Sequence, residues 1–292
     1  MTGKNKKPTI HTLVEDIEKV FSPQSKAVPT DEDLKTFSKN VSEAIVSTFI
    51  RNREKGGHDY SLRMSNIGKP SRQLWYETRQ DPETTEPLSY SLLLKFLYGS
   101  ILEELMVLLC RTAGHVVTEQ QKEYKLEGVV GHQDARVDDI IVDFKSASGR
   151  SFKKFKDHSL LEDDPFGYIA QLSSYAQAAG EKEAAFIAID KQSGEITLMP
   201  LHQMEMINAK DRITYLKGAI QQATPPEKCY LPVEEGKSGN YKLSIGCVYC
   251  KFKKECWSEA NNGKGLRTFQ YANGIRFFTD VKKQPRVEEV FI

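Results

Sequence analysis

The chain has 292 residues, 39% of them hydrophobic and 28% charged, which excludes disordered and collagen-like classes and allows a core without disulfide staples. Its 41 basic and 40 acidic residues leave a net charge of +1, so a polyanion site has to be local rather than spread over the whole surface. The most apolar stretch, 91–110, carries Lys95, Glu103 and Glu104, the N-terminus lacks the apolar centre of a secretory signal, and five cysteines do not form a secreted disulfide framework; the expectation is a reduced, cytoplasmic protein with no membrane partner.

Residues 1–30 are polar and rich in proline, with one short helix expected near 11–21. Thr30 followed by Asp31, Glu32 and Asp33 marks a helix start, and apolar periodicity runs on to about Arg53 before Gly56 and Gly57. The segment 63–79 is rich in Arg, Trp and Tyr and is expected to turn helical from Arg72. A long, mostly buried helix is expected over 91–114, then strands over 129–137 and 140–147. A basic loop over 149–156 and an acidic one over 162–165 lead to a helix over 168–179, which Gly180 ends. A hairpin over 183–201 and a helix over 202–223, closed by Pro225 and Pro226, precede a cysteine segment and a tail. This order reads as mixed α/β.

The chemistry concentrates in 131–145, Gly-His-Gln-Asp-Ala-Arg-Val-Asp-Asp-Ile-Ile-Val-Asp-Phe-Lys. If Asp138 and Asp139 form a two-residue turn, Asp134 falls opposite Asp143, and Lys145 shares that face because strand side chains alternate. Opposed like charges are destabilising, and a divalent cation held by oxygen ligands compensates them. The apolar helix adds Glu103 and Glu104; successive helical residues stand about 100° apart, so one of the pair faces the sheet and the other is expected in solvent. Gln171 and Tyr175, four apart, share a helix face.

The ordered set Gly-x3-Glu103, Gly-x2-Asp134, Asp143-x-Lys145 and Gln171-x3-Tyr175 resembles the PD-(D/E)XK nuclease superfamily in its RecB-type and phage-exonuclease branch, over about residues 62–257. Residues 62–76 resemble the approach segment of the same nucleases. The resemblance implies a restriction-endonuclease-like core, a mixed central sheet flanked by helices. It also implies that Glu103, Asp134, Asp143 and the carbonyl of Phe144 hold Mg²⁺ or Mn²⁺. Lys145 would orient or activate the attacking water, as a positive charge or as a base, and Gln171 and Tyr175 would steady the site and the DNA backbone. Arg150, Lys153, Lys154 and Lys156, interleaved with Phe152 and Phe155, are expected to contact phosphates and stack on unpaired bases. Arg63, Arg72, Trp75 and Tyr76 form a second candidate DNA patch.

Cys229, Cys247, Cys250 and Cys256 fall within 28 residues, a set able to hold zinc or an iron–sulfur cluster. Cys-x2-Cys-x5-Cys resembles the cluster-binding end of iron–sulfur RecB-type nucleases, implying [4Fe–4S] with Zn²⁺ as the alternative. In those relatives the first cysteine lies in the approach segment, where this chain has Ser71, so Cys229 has to be the fourth ligand. Cys110 reads as a core residue. Gly236-Lys-Ser-Gly-Asn lacks the spacing of a phosphate-binding loop, which excludes an NTPase.

The expected organisation is an N-terminal helical region (1–60), a nuclease core (61–223), a four-cysteine metal segment (224–260) and a tail (261–292). The expected activity is a metal-dependent DNA exonuclease in phage-type recombination, replication or DNA turnover. A separate helicase, recombinase or single-strand-binding protein would be its partner, and a phage-encoded chain would work in the host cytoplasm. A structure-specific endonuclease and a catalytically inactive nucleic-acid-binding protein are the alternatives.

Overall fold

The computed structural model describes residues 8–51, 61–81 and 87–291. Gly56 and Gly57, expected to end a helix, lie outside the described residues. In chain order the elements are α1 (Leu13–Val20), α2 (Asp31–Ile50), α3 (Ser71–Glu77), α4 (Tyr90–Thr112), β1 (Val117–Thr118), β2 (Glu123–Leu126), β3 (Val129–His132), β4 (Ala135–Val137) and β5 (Ile140–Ala147). Then come α5 (Gly149–Lys156), α6 (Tyr168–Ala179), β6 (Glu183–Asp190), β7 (Ile196–His202), α7 (Ala209–Gln221), β8 (Val233–Glu234), β9 (Tyr241–Lys242), β10 (Arg267–Tyr271) and β11 (Gly274–Asp280).

The chain divides into two compact units, 1–68 with 80–215 and 69–79 with 216–292; the boundary falls inside α7. The first unit carries a five-stranded sheet in the order β1-β4-β5-β6-β7. Its only parallel pair is β5 with β6, joined by α5 and α6, because parallel neighbours need a crossover. This is a mixed sheet flanked by helices. Met106, Val107 and Cys110 of α4 pack with Val142 and Phe144 of β5 in one apolar cluster. Asp143 and Lys145, alternating with those residues, therefore point to the opposite face.

The β4–β5 turn follows the register read from sequence. Val137 pairs with Ile140 and Ala135 with Val142, while Asp138 and Asp139 take φ of 50° and 70°, as a tight hairpin turn requires. The single strand expected over 129–137 is broken, however. Residues 129–132 pair with β2 in a separate ribbon, and the β4 ladder stops at Ala135. Asp134 is thus not a ladder partner of Asp143, an arrangement that avoids two directly opposed carboxylates. Strands β1 and β2 are not among the expected elements, although Glu-Tyr-Lys-Leu of β2 alternates polar and apolar residues.

Three other expectations change. Residues 149–156 form a helix rather than a loop, with Phe152 and Phe155 in the core. Their spacing of three puts both on one helical face. The first half of α4 keeps Tyr90, Leu94, Phe96 and Tyr98 exposed, so only its second half is buried. The helix expected from His202 starts at Ala209, where Asn208 Oδ1 accepts the Asp211 amide at 3.2 Å, a side-chain cap.

The second unit holds a four-stranded sheet, β10-β11-β9-β8. Arg267–Tyr271 and Gly274–Asp280, within the segment expected as a tail, pair as an antiparallel hairpin of this sheet. In this unit Tyr76 of α3 stacks on Phe252 at 5.4 Å, and the Trp75 indole donates to Gln222 O at 2.8 Å.

Candidate active site

The acidic residues meet where β4 stops and β5 continues. Asp134 Oδ2 accepts the Phe144 amide at 2.7 Å. A strand residue points its N–H and C=O to the same edge, so the Phe144 carbonyl also faces Asp134. Asp143 is 1% exposed; its Oδ1 accepts from Gln171 Nε2 at 3.2 Å, and its Oδ2 is ion-paired with the Lys145 ammonium. That ammonium lies 4.6 Å from the centre of the Tyr168 ring. Glu103, half-buried on α4, accepts from Gln121 Nε2 at 2.9 Å. Its neighbour Glu104, expected in solvent, is held by Asn40 Nδ2 of α2 at 2.9 Å.

Burial pushes all three acids upward, and neighbouring carboxylates add to it at Glu103 and Asp134. Burial, then the charges of Glu104 and Asp143, raise the Glu103 carboxyl to about 7. Asp134 is raised well above its ordinary range by burial and then by Asp143 and Glu103, and Asp143 is raised by burial. For Lys145 burial acts downward, but the charges of Asp143 and Asp134 outweigh it and raise the ammonium above its ordinary value. It is therefore protonated at neutral pH.

Glycine spacing in this region has a steric cause. A Cβ on Gly131 would sit 2.5 Å from Met64 Cβ and 3.0 Å from the ring of Tyr175. Tyr175 is buried, and burial raises its hydroxyl above the ordinary value. A cleft of about 1170 Å³ opens beside Asp134, lined also by Arg63, Glu103, Gln121, His132, Gln171 and Tyr175. A second cleft, of about 420 Å³, shares Ser100 and Glu103 with it and reaches Arg51, Lys95 and Lys145.

Glu103, Asp134, Gln171 and Tyr175 thus line the larger cleft, Phe144 and Lys145 line the smaller one with Glu103, and Asp143 is bonded to Gln171 and Lys145. Sequence reading missed Gln121, Asn40 and Tyr168. Tyr168 stands three residues before Gln171 and seven before Tyr175, so helical spacing could have found it; nothing local marks the other two. The basic residues are dispersed. Arg150 and Lys153 are exposed, Lys154 pairs with Asp163 at 2.6 Å, and Lys156 pairs with Glu195 at 2.5 Å. The expected second patch is split, with Arg63 in the cleft wall and Arg72 in the second unit. Arg72 turns inward, donating to Cys256 Sγ at 3.0 Å and to Pro226 O at 2.5 Å.

Cys229, Cys247, Cys250 and Cys256 line a single cavity of about 20 Å³. Burial raises Cys229 to about 11 and also raises Cys247 and Cys250. Cys110 is buried in α4, as expected of a core thiol. Among the described residues, no three His, Cys, Asp or Glu side chains are placed to grip an ion together; Glu103, Asp134 and Asp143 are each engaged by a separate donor. By chemistry both sets still fit. The first offers hard oxygen donors whose mutual repulsion a cation relieves, and the second offers four thiols around one cavity. Among the described residues no helix is long and apolar enough to cross a membrane.

No family model and no curated protein matches the chain. Among solved structures it is similar to SSO0001, at 13% identity over 76% of this chain and 95% of that one, with a TM-score of 0.38. It is also similar to LHK-Exo, an alkaline exonuclease from Laribacter hongkongensis solved in complex with dAMP, at 15% identity over 54% and 92% of the two chains (TM-score 0.31). A phage-related exonuclease from Haemophilus somnus 129PT matches at 16% identity over 71% and 90% (TM-score 0.34). Overlaps this loose decide nothing about activity, which has to be read from the side chains.

Proposed function

We propose that the chain is a divalent-metal-dependent deoxyribonuclease of the PD-(D/E)XK type, with a restriction-endonuclease-like core, acting as an exonuclease. The observation that carries the reading is the joining of Asp143 and Lys145, one strand position apart in alternation, to Asp134 and Glu103 at the edge of a wide cleft. Glu103, Asp134, Asp143 and the Phe144 carbonyl would hold Mg²⁺ or Mn²⁺. Such an ion supplies Lewis acidity at the phosphate and acidifies water.

The side chains divide the remaining work. Lys145, ion-paired with Asp143, would orient or activate the attacking water, as a positive charge or as a base. Gln171 holds Asp143 at 3.2 Å and so fixes the direction of its second oxygen. Tyr168 supports the ammonium from below, and Tyr175 fills the space behind Gly131. Arg150 and Lys153 remain as exposed DNA contacts, whereas Lys154 and Lys156 brace their own loops. The four cysteines form a second, structural metal centre. Iron with acid-labile sulfide in the purified protein identifies the [4Fe–4S] cluster implied by the family resemblance, and zinc identifies a single tetrahedral ion. Exonuclease action and a role beside a separate helicase, recombinase or single-strand-binding protein follow that same resemblance.

The decisive assay uses end-labelled single- and double-stranded DNA and a closed circle, with Mg²⁺, Mn²⁺ or EDTA, beside Asp143→Asn. Metal-dependent loss of linear DNA, with the circle spared and the variant slower by at least about 10³-fold yet still binding, is the expected result. Cutting of the circle would make the enzyme an endonuclease. Binding without cleavage by the wild type would leave an inactive nucleic-acid-binding protein.

A further inference from the structure

The segment between α5 and α6 presents an aromatic side chain that the fold does not bury. Phe152 and Phe155 turn into the core, but Phe166 is 63% exposed. Single exposed apolar residues are common and need no explanation. Phe166 differs because it is held in place. Its ring stacks on Tyr168 at 5.5 Å and 28°, and Tyr168 stacks in turn on buried Phe155 at 6.1 Å and 30°. The backbone beside it is pinned by Asp164, whose two carboxylate oxygens accept the Gly167 and Ile169 amides, each at 2.8 Å. Gly167 has φ of 75° and lies so close to Gly68 that an added Cβ would fall 2.3 Å from the Gly68 Cα.

This rigid ring borders a cavity of about 180 Å³ lined also by Lys145, Ser146, Ser151, Tyr168 and Lys191. Tyr168 thus joins two parts of the surface, since it supports the Lys145 ammonium as well as the Phe166 ring. Lys191 is exposed at the same cavity. An open aromatic face beside cationic and hydroxyl side chains matches a nucleotide, with the base on the ring and the phosphate toward the ammonium groups.

We propose that Phe166 is a stacking platform for an unpaired nucleobase of the strand bound at the adjoining site. This rests on reading the carboxylate cluster as a nuclease centre, and it names the substrate class as single-stranded or frayed DNA ends. Inside an intact duplex each base already stacks on both neighbours, so such a base reaches the ring only after leaving the helix. Stacking of this kind tolerates any base, so the platform selects strandedness and not sequence.

The test uses the full chain and single-stranded oligonucleotides carrying 2-aminopurine at successive positions, bound in Ca²⁺ buffer. The wild type is compared with Phe166→Leu and Phe166→Trp, and the same proteins are assayed for cleavage in Mg²⁺. Expected are fluorescence quenching at a defined position by the wild type, its loss in Phe166→Leu with affinity weaker by about tenfold, and its return in Phe166→Trp. Equal quenching by the wild type and Phe166→Leu, or binding by the wild type with no quenched position, overturns the platform. Should Phe166→Leu melt at a lower temperature than the wild type, recovery of quenching and affinity in Phe166→Trp carries the decision. The two readings separate cleanly. Cleavage that Phe166→Leu leaves unchanged keeps the nuclease and removes the platform, whereas Phe166-dependent quenching without any cleavage keeps the platform and removes the nuclease. Failure to bind any strand removes both.

Discussion

Three carboxyl groups at one cleft edge repel one another, and each is held above its ordinary range. The consequence for stability has a definite sign. A carboxyl whose folded pKa is raised binds more protons in the native state than in the unfolded chain, so stability falls as pH rises between the two values. For Glu103 that window runs from its ordinary 4.5 to about 7. Above it the proposed divalent cation would take over the charge balance that protons supply below it. Thermal melts should therefore show a larger Mg²⁺-induced rise in Tm at pH 8 than at pH 5, and Glu103→Gln should shrink that rise. A Mg²⁺ shift equal at both pH values would remove these carboxylates from the ion's ligand set. Lys145 works in the opposite direction, because its ammonium lowers the Asp143 carboxyl that burial raises. Lys145→Ala removes the paired cation, and both stability and cleavage should fall.

At the scale of elements, the site depends on β4 being short. Because its ladder ends at Ala135, the upper part of β5 pairs only with β6, and the freed edge carries the Phe144 amide and carbonyl toward Asp134. Gly131 makes room for this arrangement by letting the ribbon of β2 and β3 approach Met64 and Tyr175. Gly131→Ala should cost about 1–3 kcal/mol by overpacking and should lower kcat/KM, since it displaces Tyr175 in the wall of the cleft. Chemical denaturation and steady-state kinetics measure the two effects. The hairpin register was legible because two turn residues and an alternating run specify it. The break at 133–134 was not, because residues 129–137 read as one apolar run whether or not a second ribbon captures the first half.

For the molecule as a whole, the second unit takes α3 from the middle of the chain and joins it to residues 216–292. Leu74 is 1% exposed, Tyr76 stacks on Phe252, and the Arg79 guanidinium donates to Ile220 O at 2.8 Å. A chain cut after residue 215 keeps α3 and loses these partners, so it should aggregate or expose 69–79 to protease, as limited proteolysis would report. If the four cysteines hold a metal as proposed, Cys247→Ser in the full chain should lose it and sensitise 216–291 to protease. Retention of full metal content by that variant would remove Cys247 from the ligand set.

Several features of this protein are consequences of local spacing. Strand alternation places Asp143 and Lys145 on one side of β5, helical spacing groups Gln171 with Tyr175, and the Asp138–Asp139 turn sets the register of β4 against β5. These follow from periods of two and 3.6 residues, which any reader of the chain can count. Which of Glu103 and Glu104 lies against Asp143, why Phe155 is buried while Phe166 is open, and why Arg72 faces Cys256 rather than DNA all turn on segments far apart in sequence. Their burial depends on which distant surface closes over them, and a local pattern of residues carries no record of that.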